Sequence, residues 1–394
     1  MPGWGIAERV RSALRNMMTS RIDAEFSRLE AEAAVLSRER TPDHLRDLLT
    51  AGCFVYGAGG FGKRVLTLLQ AQGFPCHGII DRKFTAPGQL VAGVPALHPE
   101  SFRAAEARGR CLVLGVHSHH VDPADIIAFG RDHAFREILW NADLADALGP
   151  DIYNYWLGDR DFISAHLPRL RAAISCLADD RSVTTAIDLF RYRLTGNAAL
   201  HPAHALAEQY LPPGLLTFDR PITFVDGGAY DGDTFAQLRS NGVDIGHWIA
   251  FEPDPQNFAQ LAGFARGQTC KATLFPCGLS DRFMHVPFAA GEGTSAHLGE
   301  GELTVACVAL DDVLTDCRPD YIKLDIEGAE QAALRGMRGT IAKDRPALAV
   351  SAYHRPEDIW VLIETLTELA PAAKLYLRQH QKNGFDTVLY ALPA

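Results

Sequence analysis

The chain has 394 residues, of which 47% are hydrophobic and 22% charged, and its 38 basic against 48 acidic side chains leave a net charge of −10. That length exceeds one ordinary domain, so two or three are expected. The acidity works against a phosphate backbone as partner, and no apolar run reaches the ~20 residues a membrane-spanning helix needs. Eight cysteines are scattered without a C-x-x-C pair and read as reduced thiols, not as a disulfide frame or a zinc site. The opening MPGWGIAERVRSALRNMM has neither the uninterrupted apolar core nor the cleavage site of a secretory signal, and the expected compartment is the cytoplasm.

Residues 1–50 read as a helical segment. Ile22, Phe26, Leu29 and Val35 fall near helical spacing on a charged background. The stripe suits a helix packed on its own domain or one that pairs two copies of the chain into a homo-oligomer. Residues 51–149 then repeat a strand–helix rhythm, through CFVYGAGGFG, KRVLTLLQAQG, PCHGIID, CLVLGVHS and FREILWN, and form a small α/β domain. Residues 150–220 read as a helical connector, with Ser182 as the N-cap of one helix and a double proline at 212–213 stopping another.

Residues 221–394 alternate again. The strands are ITFVDGG, HWIAFEP, ATLFPCGL, YIKLDI and PALAVSAYH, and an extra strand pair, MHVPFAA and LTVACVAL, is inserted before YIKLDI. AKLYLRQH and FDTVLYAL flank Asn383-Gly384, and two strands joined by so short a loop must be antiparallel. The expected fold is therefore α/β. Its C-terminal part is a seven-stranded, mostly parallel sheet with a reversed last strand, as in Class I methyltransferases that bind S-adenosylmethionine. Its N-terminal part is a smaller Rossmann-like domain.

Most of these strand runs end in glycine or an acid, which is how a doubly wound sheet presents a ligand at the carboxyl ends of its strands. In the first loop, Asp226, Gly228, Ala229, Tyr230, Gly232 and Thr234 precede a helix whose N-terminus favours a carboxylate. Glu252, followed by Pro253, ends the next strand, where a carboxylate can accept from two ribose hydroxyls. Gly278, Leu279 and Ser280 end the third, where an apolar side chain covers a purine. Asp325, Glu327 and Glu330 cluster in KLDIEGAE at the fourth, where the transferred methyl should point. Asp325 is counted with both the cofactor-binding and the catalytic residues, and Glu327 with the catalytic ones. His354, after the fifth strand, is the expected general base, since neutral imidazole accepts a proton near neutral pH. His380 is a weaker candidate for substrate contact.

These segments resemble, in order, those of the FkbM family of methyltransferases over about residues 180–394. VDGGAYDGDT is similar to that family's first glycine loop, FEPDPQNF to its acidic strand end and LSD to its adenine turn. GTSA at 293–296, with Ser295, is similar to a Gly-Ser-Ser loop near the site, and KLDIEGAE and YH match closely. Tyr230 stands where many members have Asn. The resemblance implies O-methylation of a hydroxyl on a sugar, a glycan precursor or a related natural product, as in bacterial polysaccharide biosynthesis. A divalent cation is allowed but not required, and no metal ligands are assigned. N-methylation of an amino-sugar stays open as an alternative.

In the N-terminal domain, Gly57, Gly59, Gly60 and Gly62 form a G-x-G-x-x-G loop after a strand, Lys63 adds charge, and Asp81 ends the next strand. That is the dinucleotide fingerprint, and an NAD-dependent oxidoreductase is a further alternative. The domain is smaller than a complete dinucleotide fold, however, and YGAGGFGKRVLTLLQAQGFPCHGIIDRK resembles the nucleotide-sugar-binding domains that precede bacterial amino-sugar acetyltransferases. That resemblance implies a nucleotide-sugar ligand rather than NAD. His117, Ser118, His119 and His120 crowd the end of a later strand and could line the same ligand site.

Overall fold

The computed structural model describes residues 4–197, 204–289, 297–298 and 303–393. It divides into two compact units. Unit 1 holds residues 1–171, 184–203 and 381–385; unit 2 holds 172–183, 204–380 and 386–394. The stretch expected to form a separate connector is thus shared between them. No described helix is long and apolar enough to cross a membrane.

Unit 1 is built on a sheet of β1 (Cys53–Tyr56), β2 (Cys76–Ile80), β3 (Leu90–Val91), β4 (Val94–Leu97), β5 (Cys111–Leu114) and β6 (Glu137–Leu139) in the order β3-β4-β2-β1-β5-β6. All neighbours are parallel except β3 and β4. The central strands β1 and β5 are apolar runs covered on both faces, as parallel strands require. Helix Gly60–Ala71 buries Val65, Leu66 and Leu69, and Gln72 and Gly73 end it.

The N-terminal segment forms two helices, Trp4–Glu39 and Pro42–Thr50. Ile22, Phe26, Leu29 and Ala33 are buried, and Arg191 of the same unit pairs with Glu25 and Glu32. Over residues 21–39 the apolar stripe is therefore covered within its own unit. Val35, expected in that stripe, is exposed.

The connector residues also differ from the sequence reading. Helix Arg160–Ile174 tolerates an internal Pro168, and the next helix spans Asp180–Thr195. Its cap is Asp179, whose carboxylate accepts the Ser182 N–H at 2.8 Å, so Ser182 is not the N-cap. Among the described residues, 204–211 hold a single 3₁₀ turn, Leu206–Glu208, and not a helix that the prolines stop.

In unit 2 the strands are β7 (Ile222–Gly227), β8 (Ile245–Phe251), β9 (Lys271–Phe275), β10 (Gly278–Leu279), β11 (Met284–Ala289), β12 (His297–Leu298), β13 (Leu303–Val308), β14 (Tyr321–Leu324), β15 (Ala347–Ser351), β16 (Lys374–Gln379) and β17 (Thr387–Leu392). Seven of them form the main sheet in the order β16-β17-β15-β14-β7-β8-β9. Strands β9, β8, β7, β14 and β15 are parallel, and β17 runs against both of its neighbours. This is the Class I arrangement, with the strand order reversing between β7 and β14. A ligand crevice belongs at that switch point. The expected insertion, β11 against β13, is part of a second sheet with the order β10-β13-β11-β12. Under the main sheet, Phe224, Phe235, Trp248, Tyr321 and Tyr390 pack into one core, with Phe235 stacked on Trp248 at 4.3 Å.

Candidate active site at the switch point of unit 2

The loop after β7 is shaped by contact. Gly228 has φ +72°, and a Cβ there would lie 1.9 Å from the Asp325 carbonyl oxygen, so the two strand ends touch only because this residue is glycine. Beneath the loop, parallel pairing sets Asp226 opposite Lys323, and their charges meet at 3.3 Å with both side chains buried. Burial pushes the Asp226 carboxyl up to about 6 while Lys323 opposes the rise. The Lys323 ammonium also donates to the Gly228 carbonyl at 2.6 Å and so anchors the loop. Asp226 therefore lies under the loop as half of a buried ion pair, not on its open side.

Glu252 ends β8 at 5% exposure. One carboxylate oxygen accepts the Tyr230 N–H at 2.9 Å and the other the Asp254 N–H at 2.8 Å, which fixes the carboxylate plane and leaves each oxygen a further lone pair. Pro253 follows, half-buried, and Asp254 caps helix Pro255–Ala265. Tyr230 is held at φ +48°, a conformation that Asn adopts more easily than an aromatic residue. Ala229 is buried, Gly232 starts helix Asp233–Ser240, and Thr234 is buried in its first turn. At the third strand end, Gly278 and Leu279 pair with β13, the Ser280 N–H donates to Val308, and the Leu279 side chain packs against Gly227.

The fourth and fifth strand ends converge on His354. Its Nδ1 lies 2.9 Å from Glu330, and its Nε2 lies 3.3 Å from Asp325 and 3.7 Å from Glu327. The His354 side chain is 1% exposed, whereas those of Asp325 and Glu327 are 26% and 20% exposed. Burial alone would lower the histidine pKa, but Glu330, Glu327 and Asp325 outweigh it and hold the ring well above its usual value. Asp325 is held below the usual carboxylate range, because Lys323 and His354 outweigh its own desolvation. The three carboxylates thus favour the protonated ring over the neutral imidazole expected of a base, and the ring lies behind the carboxylates that an incoming molecule meets first. Asp325, Glu330 and His354 also offer ligand atoms within 4.8 Å of one another, a spacing that can hold a cation.

His380 is buried at 1% exposure, with Nδ1 3.0 Å from the Ala205 carbonyl and Nε2 2.9 Å from the Tyr390 hydroxyl. Burial pushes it down to about 4, so it is neutral and internal, and the reading of it as a substrate contact is corrected. Ser295 lies outside the described residues. Sequence reasoning missed Lys323 and Tyr210, whose hydroxyl donates to Asp325 at 2.8 Å. The one visible signal was Lys323, a lone charge inside the otherwise apolar strand YIKL.

Residues 226–386 match the family model described as Methyltransferase FkbM domain. Over that stretch the chain is similar to the FkbM methyltransferase family. Among solved structures, the chain is similar to a methyltransferase FkbM from Methylobacillus flagellatus KT. Identity is 23% over 94% of this chain and 100% of that one, with a TM-score of 0.77. At that identity the match shows a shared fold. A precorrin-6y C5,15-methyltransferase from Geobacter metallireducens GS-15 is 13% identical over 45% of this chain and 84% of that one, and its TM-score of 0.29 carries no argument. No curated protein matches the sequence.

In unit 1, Gly62 is packed so closely that a Cβ would lie 1.9 Å from the Gly57 carbonyl oxygen, whereas Gly59 and Gly60 have nothing within 4 Å of that position. Asp81 is engaged by this loop itself, accepting the Ala58 N–H at 2.7 Å and the Lys83 N–H at 3.0 Å. Lys63 is exposed in the first turn of the helix. His117 is buried between Asn154 and Asn141, and burial pushes it down to about 3, so it packs as a neutral ring.

Proposed function

We propose that unit 2 binds S-adenosylmethionine and transfers its methyl group to a hydroxyl of a sugar or sugar-like small molecule. Glu252 supports the cofactor reading, because a carboxylate fixed by two backbone N–H groups and still able to accept suits a ribose diol. The Gly228–Gly232 loop, Thr234 and the Gly278–Ser280 turn would hold the rest of the ligand. When bound, that cofactor supplies an electrophilic methyl group on a positively charged sulfur, which leaves as a neutral thioether.

The observation that carries the acceptor reading is the pair of partly exposed carboxylates, Asp325 and Glu327, in front of the buried His354. Carboxylates only accept hydrogen bonds, so they favour an acceptor rich in hydroxyls. They orient the reacting oxygen, and one of them receives its proton. His354 acts from behind as an imidazolium that holds both carboxylates in place. A cation held by Asp325, Glu330 and His354 would require the ring to give up its proton and so would replace this role, and the transfer itself requires no metal.

The test is incubation with S-adenosylmethionine and a panel of free and nucleotide-linked sugars, read by mass for one added methyl group. Asp325→Asn should cut turnover by roughly 10²–10⁴-fold, the usual range for a lost acid–base group, while cofactor affinity stays within a few-fold. Unchanged turnover in that variant would refute the acceptor site.

For unit 1 we propose a phosphate-bearing ligand of the sugar-nucleotide class. The support is Gly59 and Gly60, where the fold gives no steric reason for glycine and a ligand's close approach would. Titration with a uridine-diphosphate sugar and with NAD tests it, and binding of neither contradicts it.

A further inference from the structure

Tyr210 precedes the stretch that matches the methyltransferase domain, yet its side chain reaches into the candidate site. Its hydroxyl donates to Asp325 Oδ2 at 2.8 Å, while Asp325 Oδ1 faces His354 Nε2 at 3.3 Å. The Tyr210 ring lies under the Lys323 ammonium, 5.5 Å from the ring centroid, and the residue is almost fully buried.

The backbone that aims this ring is stapled at several points. The Tyr210 N–H donates to the Tyr390 hydroxyl at 3.1 Å, and the Tyr210 carbonyl accepts the Tyr321 hydroxyl at 2.6 Å. The Tyr390 oxygen lies 2.9 Å from His380 Nε2, and His380 Nδ1 lies 3.0 Å from the Ala205 carbonyl. With His380 neutral, the donors run one way: His380 Nδ1–H to Ala205, the Tyr390 O–H to His380, and the Tyr210 N–H to Tyr390. Tyr210 is meanwhile held at φ +63°, a left-handed conformation that a bulky residue keeps only when its surroundings impose it. Such fixing suits a residue that positions a reacting group.

We propose that Tyr210 is the positioning residue for Asp325. Its hydroxyl holds Oδ2 while His354 Nε2 faces Oδ1, so the carboxylate is fixed from two sides before an acceptor arrives, and His380 and Tyr390 serve to hold Tyr210. This rests on the methyl-transfer reading of the site. It adds that the working site extends upstream of residue 226 into the segment 205–210.

The test compares the full-length protein with Tyr210→Phe and Tyr390→Phe, each first checked for an unchanged circular dichroism spectrum. Removing a donor from an ionised carboxylate raises its pKa. Tyr210→Phe should therefore move the acid limb of the turnover profile to higher pH and lower kcat about 10-fold, with S-adenosylmethionine affinity within about 2-fold. Tyr390→Phe, which loosens the staple but leaves the Tyr210 hydroxyl, should shift both in the same direction by less. A second readout needs no acceptor: the titration of the Asp325 carboxyl carbon by NMR should move to higher pH in Tyr210→Phe. An unmoved acid limb and an unmoved Asp325 titration would overturn the proposal. A shifted titration in a protein that neither binds the cofactor nor turns over would sustain the Tyr210–Asp325 coupling and instead overturn the methyl-transfer reading.

Discussion

Two glycine loops in this chain leave a central parallel strand and open a helix, one at Gly57–Gly62 and one at Gly227–Gly232, and they differ in their surroundings. In unit 1 the acid of the neighbouring strand end, Asp81, is taken up by the loop's own Ala58 N–H and by Lys83. In unit 2 the corresponding acid, Glu252, also accepts two backbone N–H groups, but a buried Asp226–Lys323 pair underlies the loop and three carboxylates close around His354 beside it. A glycine loop brings a ligand near the backbone. Whether anything happens to that ligand depends on the residues that adjacent strand ends add.

The sharpest way to break this contrast is to remove those residues. Asp325→Asn should lower turnover by about 10³-fold, measured against a confirmed acceptor, because it takes away an acid–base group. Next comes the pair under the loop. Lys323→Met leaves Asp226 buried without its counter-charge and should cost about 3 kcal/mol in urea unfolding, and adding Asp226→Asn should recover part of that loss. A cost below about 1 kcal/mol would show that the pair does not support the loop.

The histidine gives a pH test of sign. His354 binds its proton more tightly folded than unfolded, so its stabilisation is complete below the unfolded value of about 6.5 and is lost as pH rises through the raised folded value. Unfolding free energy should therefore fall on the alkaline side, and fall less in His354→Gln than in the parent protein. Turnover should also fall there, as the imidazolium is lost. A rate that instead climbs with pH would restore the neutral ring as the base. The smallest expected effect is in unit 1. Gly60→Ala places a methyl group in open space and should change stability by less than about 0.5 kcal/mol, so any larger loss in sugar-nucleotide affinity isolates the ligand's own contact with the loop.

In the two larger sheets every strand but β3 and β4 was legible, because each is a short apolar run with a turn at its end, and the reversed β17 followed from the short loop before it. The placement of Glu252, Asp325, Glu327 and His354 at strand ends was legible for the same reason. What the sequence hid was register and depth. The pairing of Lys323 with Asp226 depends on two strands almost a hundred residues apart lying side by side. The burial of His380 depends on Tyr390 and on a turn at Ala205, and that of His354 on carboxylates from another strand end. Asp179 displaced Ser182 as a cap because either residue type fits that position, and only geometry decides between them.

The most direct measurement is calorimetric titration of the full-length protein with S-adenosylmethionine, for the parent, Glu252→Ala and Asp81→Ala. The account predicts micromolar binding in the parent, a loss of at least about 100-fold in Glu252→Ala, and no change in Asp81→Ala. No binding to the parent, or a loss with Asp81→Ala but not with Glu252→Ala, would contradict the assignment of the cofactor to unit 2.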